Sequence, residues 1–495
     1  MKTVLGIDMG TQSTKVVLYD FENKVIAAEA SSKHVIISKD DGTKEQKAEW
    51  WIEALKNCMS EIDSNLKTTV IAIGVSGQQH GFVPLDSIGN VLYNVKLWCD
   101  TSTTSECKQI TEAFGGAEKL LDEVGNLILP GYTAPKLLWL KNNKPQIYAK
   151  LSTILLPHDY LNFYLTGNKV MEYGDASGTG FLNIRTRKWS ENVLNAIDPD
   201  KDLLSALPNL IGSDQFAGNL KPDIADELGL NARIPVSSGG GDNMMGAIGT
   251  GTVKPGILSM SLGTSGTLYG YSEQPIIDKN LAAFCSSTNG WLPLLCTMNC
   301  TVSVELTKAL FDIDLTELEK LVSDTPIGSN GLVTLPFYNG ERAPNLPNGK
   351  GCIMGLDMNN MQKNNILRSS MEAAILGMRF GLETFKKLGF KPTEVRLTGG
   401  GSKSNTWRQI AADVLNLPIV IPKIQEAAAF GAALQTLWVY ASSNNKKKSI
   451  QEIVDQHVKL DMEKKHYPNP ESVQKYNQVY KEYLKYLNSV ENIFR

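Results

Sequence analysis

The sequence lacks the features that mark membrane, secreted and nucleic-acid-binding proteins. None of its apolar stretches approaches the ~20 residues of a membrane-spanning helix. Its start leads into a predicted strand instead of the basic and then apolar segments of a signal peptide. Its formal net charge is −3, too small to indicate a basic surface for nucleic acid or an acidic tail. We therefore expect a cytoplasmic protein that binds neither nucleic acid nor a membrane.

Cysteine is present without any recognisable pattern. The seven cysteines are an odd number, dispersed along the chain, and no two of them form a C-x-x-C pair. Cys296 and Cys300 have no Cys or His pair at zinc-like spacing, so we expect free, buried thiols there. Low complexity is confined to residues 442–448, which predict a solvated loop.

A short turn motif, by contrast, occurs twice. Residues 6–15 read GIDMGTQSTK, and residues 261–267 read SLGTSGT. In each copy an apolar run leads into Gly-Thr and a second β-rich run follows, which predicts a hairpin. A Gly/Thr/Ser turn offers backbone N–H groups and hydroxyls that can hold a phosphate, although two unrelated turns are the simpler alternative. The matched pair favours two related domains that face a polyphosphate from opposite sides.

The alternation of strands and helices predicts an α/β fold. Strands between residues 3 and 28 precede an amphipathic helix at 49–62 and a buried strand at 69–75, as expected for a sheet covered on both faces. A strand at 395–398 ends in a glycine loop before a helix at 407–415. After Pro470, helical spacing of Tyr and Leu predicts a docked C-terminal helix, with a partner-facing stripe as the alternative.

Two longer patterns relate the chain to a known family. Residues 131–143 read GYTAPKLLWLKNN, and a second pattern extends over residues 351–372. With the paired turns, they resemble the FGGY carbohydrate kinases of the actin-like ATPase superfamily. The resemblance implies two ribonuclease-H-like domains that flank a central cleft. We expect residues 1–246 to hold the sugar and the first phosphate turn, and residues 247–495 to hold ATP and the C-terminal helix.

The turns supply candidate ligands for a nucleotide and its metal ion. Asp8 directly precedes the first turn, where a carboxylate would repel phosphates unless Mg²⁺ lay between them. A turn-capping role is the alternative. The resemblance implies ATP and Mg²⁺ as cofactors. The candidate ATP contacts lie in the two turns and in the glycine loop of the second half: Gly10, Thr11, Gln12, Ser13, Gly263, Thr264, Gly400, Gly401, Ser404 and Asn405.

Asp242 is the candidate catalytic residue. Three glycines precede it and allow close approach of the backbone, and a carboxylate can take the proton of a sugar hydroxyl as its oxygen attacks phosphorus. From the residues alone, the N-cap of the following helix is an equal alternative. The resemblance implies that Asp242 is the general base. Residues 246–256, rich in Gly and Thr, are the predicted hinge.

Candidate sugar contacts follow the buried strand. Gln79 and His80 combine donors and acceptors without net charge, which suits neighbouring hydroxyls, although a lone loop His is more often structural. The resemblance adds Trp98, Asp100 and Asn243, with Asp100 assigned either to the sugar or to its own loop. The segment resembles the xylulokinase branch of the family, which implies conversion of D-xylulose to D-xylulose 5-phosphate. Gln79 departs from the Met that many members have.

Two alternative functions stay open at this stage. One is a kinase for another ketopentose, polyol or sugar acid, such as ribulose, fuculose, gluconate or glycerol. The other is a non-catalytic nucleotide-switch protein, which would need the phosphate turns but not the residues Gln79, His80 and Asp242. The expected partners are a small sugar and ATP, and a homodimer is left open. We interpret His158 as structural and leave Asp175 and Arg342 without a role.

Overall fold

The computed structural model describes residues 1–443 and 448–494. Residues 444–447 of the predicted solvated loop lie outside the described residues, whereas residues 442 and 443 end a helix. No helix in the described ranges is long and apolar enough to cross a membrane.

The first half of the chain forms one large sheet and a set of helices around it. Its strands are β1 Thr3–Met9, β2 Ser13–Asp20, β3 Val25–Lys33, β4 Ile37–Ser38, β5 Lys44–Gln46, β6 Val70–Gly77, β7 Val83–Leu85, β8 Val95–Lys96, β9 Thr153–Leu155, β10 Val170–Glu172, β11 Leu182–Asn183, β12 Lys188–Trp189, β13 Asn209–Ile211, β14 Phe216–Asn219, β15 Pro235–Ser237 and β16 Gly240–Gly241. Its helices are α1 Ala48–Glu61, α2 Ser64–Lys67, α3 Thr104–Phe114, α4 Ala117–Val124, α5 Thr133–Asn143, α6 Pro145–Tyr148, α7 Pro157–Thr166, α8 Tyr173–Ala176, α9 Glu191–Ile197, α10 Pro222–Leu228 and α11 Asp242–Thr250.

The second half forms a second large sheet. Its strands are β17 Ile257–Leu262, β18 Gly266–Gly270, β19 Ala282–Cys285, β20 Trp291–Thr297, β21 Val333–Pro336, β22 Gly351–Met354, β23 Glu394–Thr398, β24 Ile419–Pro422 and β25 Leu460–His466. Its helices are α12 Thr301–Leu310, α13 Leu315–Asp324, α14 Lys363–Lys387, α15 Asn405–Leu415, α16 Ala427–Ser443, α17 Ile450–His457 and α18 Pro470–Phe494.

The two large sheets share one topology. The first runs β14-β15-β6-β1-β2-β3, and the second runs β19-β20-β18-β17-β23-β24-β25. In the first, β1 pairs antiparallel with β2 and parallel with β6. In the second, β17 pairs antiparallel with β18 and parallel with β23. The predicted α/β fold with two ribonuclease-H-like domains is therefore confirmed.

Most elements predicted from periodicity are present within a few residues of their expected bounds. The buried strand at 69–75 is β6, and the helices at 49–62 and 407–415 are α1 and α15. Along α18, the rings of Tyr476 and Tyr483 are almost fully buried in the core of the second half. The C-terminal stripe is therefore core-facing, as expected.

Helix α16 of the second half packs against elements of the first half. It lies against α11 and across β1 and β6, with contacts so close that side chains are excluded. A Cβ on Gly431 would lie 1.7 Å from the carbonyl oxygen of Met245, and one on Gly249 would lie 1.9 Å from that of Ala427. Gly249 therefore serves the packing of α11 against α16. Residues 246–250 of the predicted hinge are helical, and the hinge itself stays a prediction. The division at residue 246, which falls inside α11, stays a prediction.

Candidate active site

A cavity of about 420 Å³ lies between the two sheets, at the ends of β1 and β17. The first half contributes mainly polar and aromatic side chains: Asp8, Gln79, His80, Trp98, Tyr132, Asp242 and Asn243. The second half contributes backbone of its turn and of its glycine loop, together with longer side chains: Ser261, Gly263, Ser265, Thr267, Phe284, Cys296, Arg342, Thr398, Gly399 and Glu426.

The two repeated turns have similar internal geometry. The N–H of Gly10 donates to the carbonyl of Ser13 at 3.0 Å, and the N–H of Gly263 donates to the carbonyl of Ser265 at 3.2 Å. The turns differ in their relation to the cavity. Gly263 of the second turn lines it, whereas Gln12 of the first turn is exposed to solvent. The hydroxyl of Thr11 already accepts a 2.9 Å bond from the indole N–H of Trp98.

Asp242 begins α11, so its carboxylate is presented to the cavity by the first turn of a helix. The N-cap position is occupied by Gly241, not by Asp242, which removes the capping alternative. Asp242 Oδ1 accepts from the backbone N–H of Asn243 at 2.8 Å and from its side-chain amide at 3.1 Å. Burial, together with the charge of Asp8, raises the pKa of Asp242 to about 8.

Asp8 is the second carboxylate of the cavity. Its Oδ1 accepts from the hydroxyl of Ser76 at 2.8 Å, and burial raises its pKa. Two carboxylates that raise each other's energy are stabilised by a cation between them. Groups of three or more metal-binding side chains do not occur in the described part of the chain. This sparse donor set fits Mg²⁺, which keeps several waters and binds through one or two carboxylates and substrate phosphates.

Lys15 and Glu426 join the two halves beside Asp8. The Lys15 ammonium lies 2.5 Å from a Glu426 carboxylate oxygen, and both side chains are a little over one-third exposed. Lys15 therefore points towards the cleft rather than away from it. Glu426 itself lines the cavity.

Gln79 lines the cavity, and its side-chain N–H donor is not used by the protein. Its Oε1 accepts from the Asn243 side-chain amide at 2.9 Å. Its Nε2 is buried and has no hydrogen-bond partner among the described residues. A buried amide N–H without a partner costs about 1–3 kcal/mol, so a ligand oxygen at this point would satisfy it.

His80 is held in an unusual conformation at the same end. Its φ is +64°, which a residue other than glycine rarely adopts and which clusters at ligand sites. Its carbonyl accepts a 2.8 Å bond from Lys136 Nζ, and its ring lies 4.8 Å from that of Tyr132. Nδ1 lies 2.8 Å from the carbonyl of Gly178. Burial, with the nearby charges of Lys136 and Arg342, lowers the pKa of His80 well below its usual value. The ring is therefore neutral, with Nδ1–H donating and Nε2 left as an acceptor.

Asp100, for which a sugar contact and a role in its own loop were both left open, does not reach the cavity. It is fully buried outside the cavity. Its carboxylate accepts from Lys96 Nζ at 3.0 Å and from the backbone N–H groups of Lys44 and Ser102 at 2.9 and 3.0 Å. Of the two roles left open, the structure supports the one in holding its own loop. We correct the candidate set accordingly.

The side chains of the glycine loop form local hydrogen bonds, and the contacts of this loop with ATP stay a prediction. Ser404 caps α15 by accepting from the Trp407 N–H at 2.9 Å and donates to Glu319 at 2.5 Å. Asn405 accepts from the Arg408 guanidinium at 3.1 Å. Neither side chain lines the cavity, and Gly400 and Gly401 do not line it either, whereas Thr398 and Gly399 do. Side chains that cap a helix this way are already committed to the fold.

Arg342, Tyr132 and Phe284 are cavity residues absent from the predicted set. Arg342 forms no ion pair with its neighbour Glu341, whose carboxylate accepts from the backbone N–H groups of Met298 and Arg342. The Gly-Glu-Arg run was the available signal for Arg342. Cys296 lines the cavity and is half-buried rather than buried, whereas Cys300 is buried. All seven cysteines are free, as expected.

His158 and Asp175 lie behind the cavity wall. The Nδ1–H of His158 donates to Asp175 Oδ2 at 2.6 Å, and both side chains are fully buried. Burial opposes a charge on His158, but the carboxylates of Asp159 and Asp175 raise its pKa well above the usual value. Neither His158 nor Asp175 reaches the cavity.

A phosphate-type turn on each side of a cleft, with two carboxylates between them, is the arrangement expected of a nucleotide-binding protein with the actin-like ATPase fold. Two family models match the chain. The N-terminal domain of the FGGY family of carbohydrate kinases matches residues 3–249, and its C-terminal domain matches residues 258–440. The chain therefore belongs to the FGGY family of carbohydrate kinases. It is a sugar kinase, as expected, and ATP as phosphate donor follows from the family.

Individual relatives agree with this assignment. A xylulose kinase from Haemophilus influenzae is 43% identical over 495 residues, covering 98% of this chain and 99% of the relative. Among solved structures, a ligand-bound xylulose kinase from Lactobacillus acidophilus has a TM-score of 0.91 at 25% identity. A gluconate kinase from the same organism has the same TM-score at 26% identity. Both comparisons cover 100% of this chain and 99% of the other. Overall fold therefore does not separate the two substrates.

Proposed function

We propose that this sugar kinase transfers the terminal phosphate of ATP to O5 of D-xylulose and forms D-xylulose 5-phosphate. The observation that carries the proposal is the position of Asp242, a carboxylate of raised pKa between Asp8 and the amides of Gln79 and Asn243. The 43% identity to a xylulose kinase over nearly the whole chain supports the choice of sugar.

Asp242 would act as the general base. A sugar hydroxyl is a weak nucleophile, and a carboxylate that takes its proton during attack on phosphorus assists the transfer. A base with a pKa near the working pH combines a useful fraction of the ionised form with enough affinity for the proton. The hydrogen bonds from Asn243 orient the carboxylate towards the cavity.

Asp8 would hold Mg²⁺, mainly through water. When bound there, Mg²⁺ neutralises the charge on the terminal phosphates of ATP. The Ser76 hydroxyl fixes the Asp8 carboxylate. The turn at Gly10, Thr11, Gln12 and Ser13 and the turn at Gly263 and Thr264 would contact those phosphates from opposite sides. On the second half, Thr398 and Gly399 would contact the nucleoside together with Gly400, Gly401, Ser404 and Asn405.

The sugar would lie between neutral polar groups and aromatic walls. Gln79 Nε2 is a donor and the neutral ring of His80 has an acceptor, so of two adjacent sugar hydroxyls one can accept a hydrogen bond and the other can donate one. Trp98, Tyr132 and Phe284 supply apolar faces that exclude water from the reacting oxygen.

A sugar panel tests the proposal. With ATP and Mg²⁺ in excess, we expect D-xylulose to give a higher kcat/KM than ribulose, fuculose, gluconate and glycerol. A clear preference for glycerol or gluconate would refute the assignment, and a preference for ribulose would implicate Gln79. ATP hydrolysis without sugar serves as the baseline, because a nucleotide-switch protein would show no sugar-dependent turnover.

A further inference from the structure

Arg342 brings a guanidinium across the cleft from the second half of the molecule. The loop between β21 and β22 carries it, and the neighbouring Glu341 anchors that loop. The Glu341 carboxylate, only 4% exposed, accepts from the N–H groups of Met298 and Arg342 at 2.8 and 2.7 Å. Asn299 adds a 3.3 Å bond from its amide. The base of the Arg342 side chain is therefore fixed.

The tip of Arg342, by contrast, is little used by the protein. Its NH2 group donates one long bond of 3.4 Å to the carbonyl of Trp98, and the guanidinium carbon lies 5.8 Å from the centre of the Trp98 ring. The Cys296 thiol is also beside it. Over the described residues, Arg342 takes part in none of the ion pairs. A guanidinium has five N–H donors, so most of them are available to a ligand.

The cavity side chains next to this charge are uncharged, and the nearby Lys136 and Glu341 use their charged groups on backbone partners. Arg342 shares the sugar end of the cavity with His80, Trp98, Tyr132 and Cys296, and the His80 ring is uncharged. Arg342 also lies against Gly131, where an added Cβ would be 2.9 Å from its NH2 group. A donor-rich cation among neutral groups requires acceptor oxygens from whatever occupies the cavity.

The chemistry of the proposed substrate supplies such an acceptor, and this step rests on the proposed function. A 2-ketopentose closes its five-membered ring only by adding O5 to C2. When O5 attacks phosphorus, O5 is not in a ring, so the reacting sugar is open-chain and its C2 carbonyl is free. A carbonyl oxygen only accepts hydrogen bonds. With O5 at Asp242, C2 is three bonds farther along the chain from C5.

We propose that Arg342 recognises the C2 carbonyl oxygen of the open-chain sugar and thereby selects ketoses over the corresponding polyols. The guanidinium donates to the carbonyl from the second half, while Gln79 and His80 bind hydroxyls from the first half. The ketose would be favoured over the polyol by the strength of the bond from the guanidinium to the C2 carbonyl oxygen, and a hydrogen bond to a charged group contributes about 1.5–3 kcal/mol. Binding of a ketose would also connect the two halves directly.

The test compares Arg342→Gln and Arg342→Lys with the wild type on D-xylulose and on its two C2-reduced forms, xylitol and D-arabinitol. Steady-state kinetics give kcat and KM, and calorimetry gives the Kd of each sugar without nucleotide. We expect Arg342→Gln to lower kcat/KM for D-xylulose about 10–100-fold, mostly through KM, and to leave both polyols nearly unchanged. Arg342→Lys keeps the positive charge but lacks the planar set of guanidinium donors, so its kcat/KM for D-xylulose should lie between those of the wild type and Arg342→Gln.

The controls separate this inference from the proposed function. Arg185→Gln makes the same change at an exposed arginine of the first half, and thermal unfolding checks that each variant is folded. Equal losses for ketose and polyols with unchanged sugar binding would overturn the inference and assign Arg342 to the transferred phosphoryl group. A wild type that prefers gluconate, with the preference lost in Arg342→Gln, would overturn both proposals and assign the guanidinium to a carboxylate.

Discussion

At the residue scale, the position of Asp242 in the first turn of α11 determines the environment of its carboxylate. The carboxylate is oriented by Asn243 and faces Asp8, whose charge contributes to its raised pKa. The same residue at an exposed helix start would keep an ordinary pKa and cap backbone N–H groups.

We expect Asp242→Asn to lower kcat on the order of 10²–10⁴-fold, the usual effect of losing general-base assistance. The Kd values of ATP and sugar should change little, because asparagine keeps the size and most hydrogen bonds of the side chain. Asp226→Asn, at an exposed position on α10, is the matched control. Near-normal turnover at saturating substrates would show that Asp242 is only structural.

Lys136 is a positioning residue for His80. Its ammonium, fully buried, donates to the carbonyls of His80 and Gly131 at 2.8 and 2.7 Å. It therefore fixes the left-handed backbone of His80. We expect Lys136→Met, which keeps the volume, to lower kcat/KM for the sugar on the order of 10–100-fold, as misplacement of a binding group does. ATP binding should be unchanged. Lys108→Met, at an exposed site on α3, should have no effect on either quantity.

The same substitution has a consequence for stability as a function of pH. Burial lowers the pKa of Lys136 from 10.5 to about 7. Between these two values, the unfolded chain binds one more proton at this site than the folded chain. The contribution of Lys136 to the free energy of unfolding therefore rises with pH across this interval. Denaturant unfolding at several pH values should show a steeper rise for the wild type than for Lys136→Met. Parallel curves would contradict a lowered pKa in the folded protein.

At the element scale, the contact between α11 and α16 depends on the absence of side chains. Gly431 and Gly249 allow the two backbones to approach, and Gly6 and Gly74 do the same for α16 on the sheet. Cβ atoms on Gly6 and Gly74 would lie 2.0 and 2.1 Å from carbonyl oxygens of α16. The first residue of α16, Ala427, also lines the cavity. The packing of α16 therefore helps to position the site.

We expect Gly431→Ala to lower the free energy of unfolding by about 3 kcal/mol or more, because backbone on both sides must move. Gly377→Ala in α14 is the matched control. A Cβ there meets only Thr297 Cγ2, at 3.9 Å, so alanine should stabilise the helix by about 0.5–1 kcal/mol. Chemical denaturation measures both. Equal effects of the two substitutions would contradict the close-packing interpretation.

At the scale of the whole molecule, the residues proposed to bind the sugar and those proposed to bind the nucleoside lie on opposite sides of the cleft. In-line transfer needs the donor phosphorus and the acceptor oxygen about 3–3.5 Å apart, and an open cleft would also admit water to Asp242. We therefore expect the two halves to close on the sugar and suppress ATP hydrolysis in its absence. Because α11 and α16 are tightly packed, the rotation should occur in the connections outside these helices.

Small-angle scattering measures this closure. The radius of gyration should fall when D-xylulose is added and fall further with an ATP analogue. Arg342→Gln should weaken the response to the sugar alone, because its guanidinium reaches across the cleft. An unchanged radius in all states, together with ATP hydrolysis that does not depend on sugar, would refute closure.

Local patterns in the sequence were enough to predict the paired sheets and the principal polar residues. Hairpin turns and strand alternation are local properties of the backbone, so β1, β6 and the turns at Gly10 and Gly263 could be identified from short segments. Asp242 was marked by its glycines and the family pattern. Gln79 and His80 were marked by the loop after a buried strand.

Contacts between distant segments were decided only by the tertiary structure. Asp100 accepts from the backbone N–H of Lys44, and Ser404 donates to Glu319, because buried polar groups find partners in segments far away along the chain. The Glu341 carboxylate accepts from the backbone N–H groups of Met298 and Arg342, so it forms no ion pair with the Arg342 side chain, which lines the cavity. Which partner wins depends on burial and geometry over hundreds of residues of chain, and no local pattern encodes that competition.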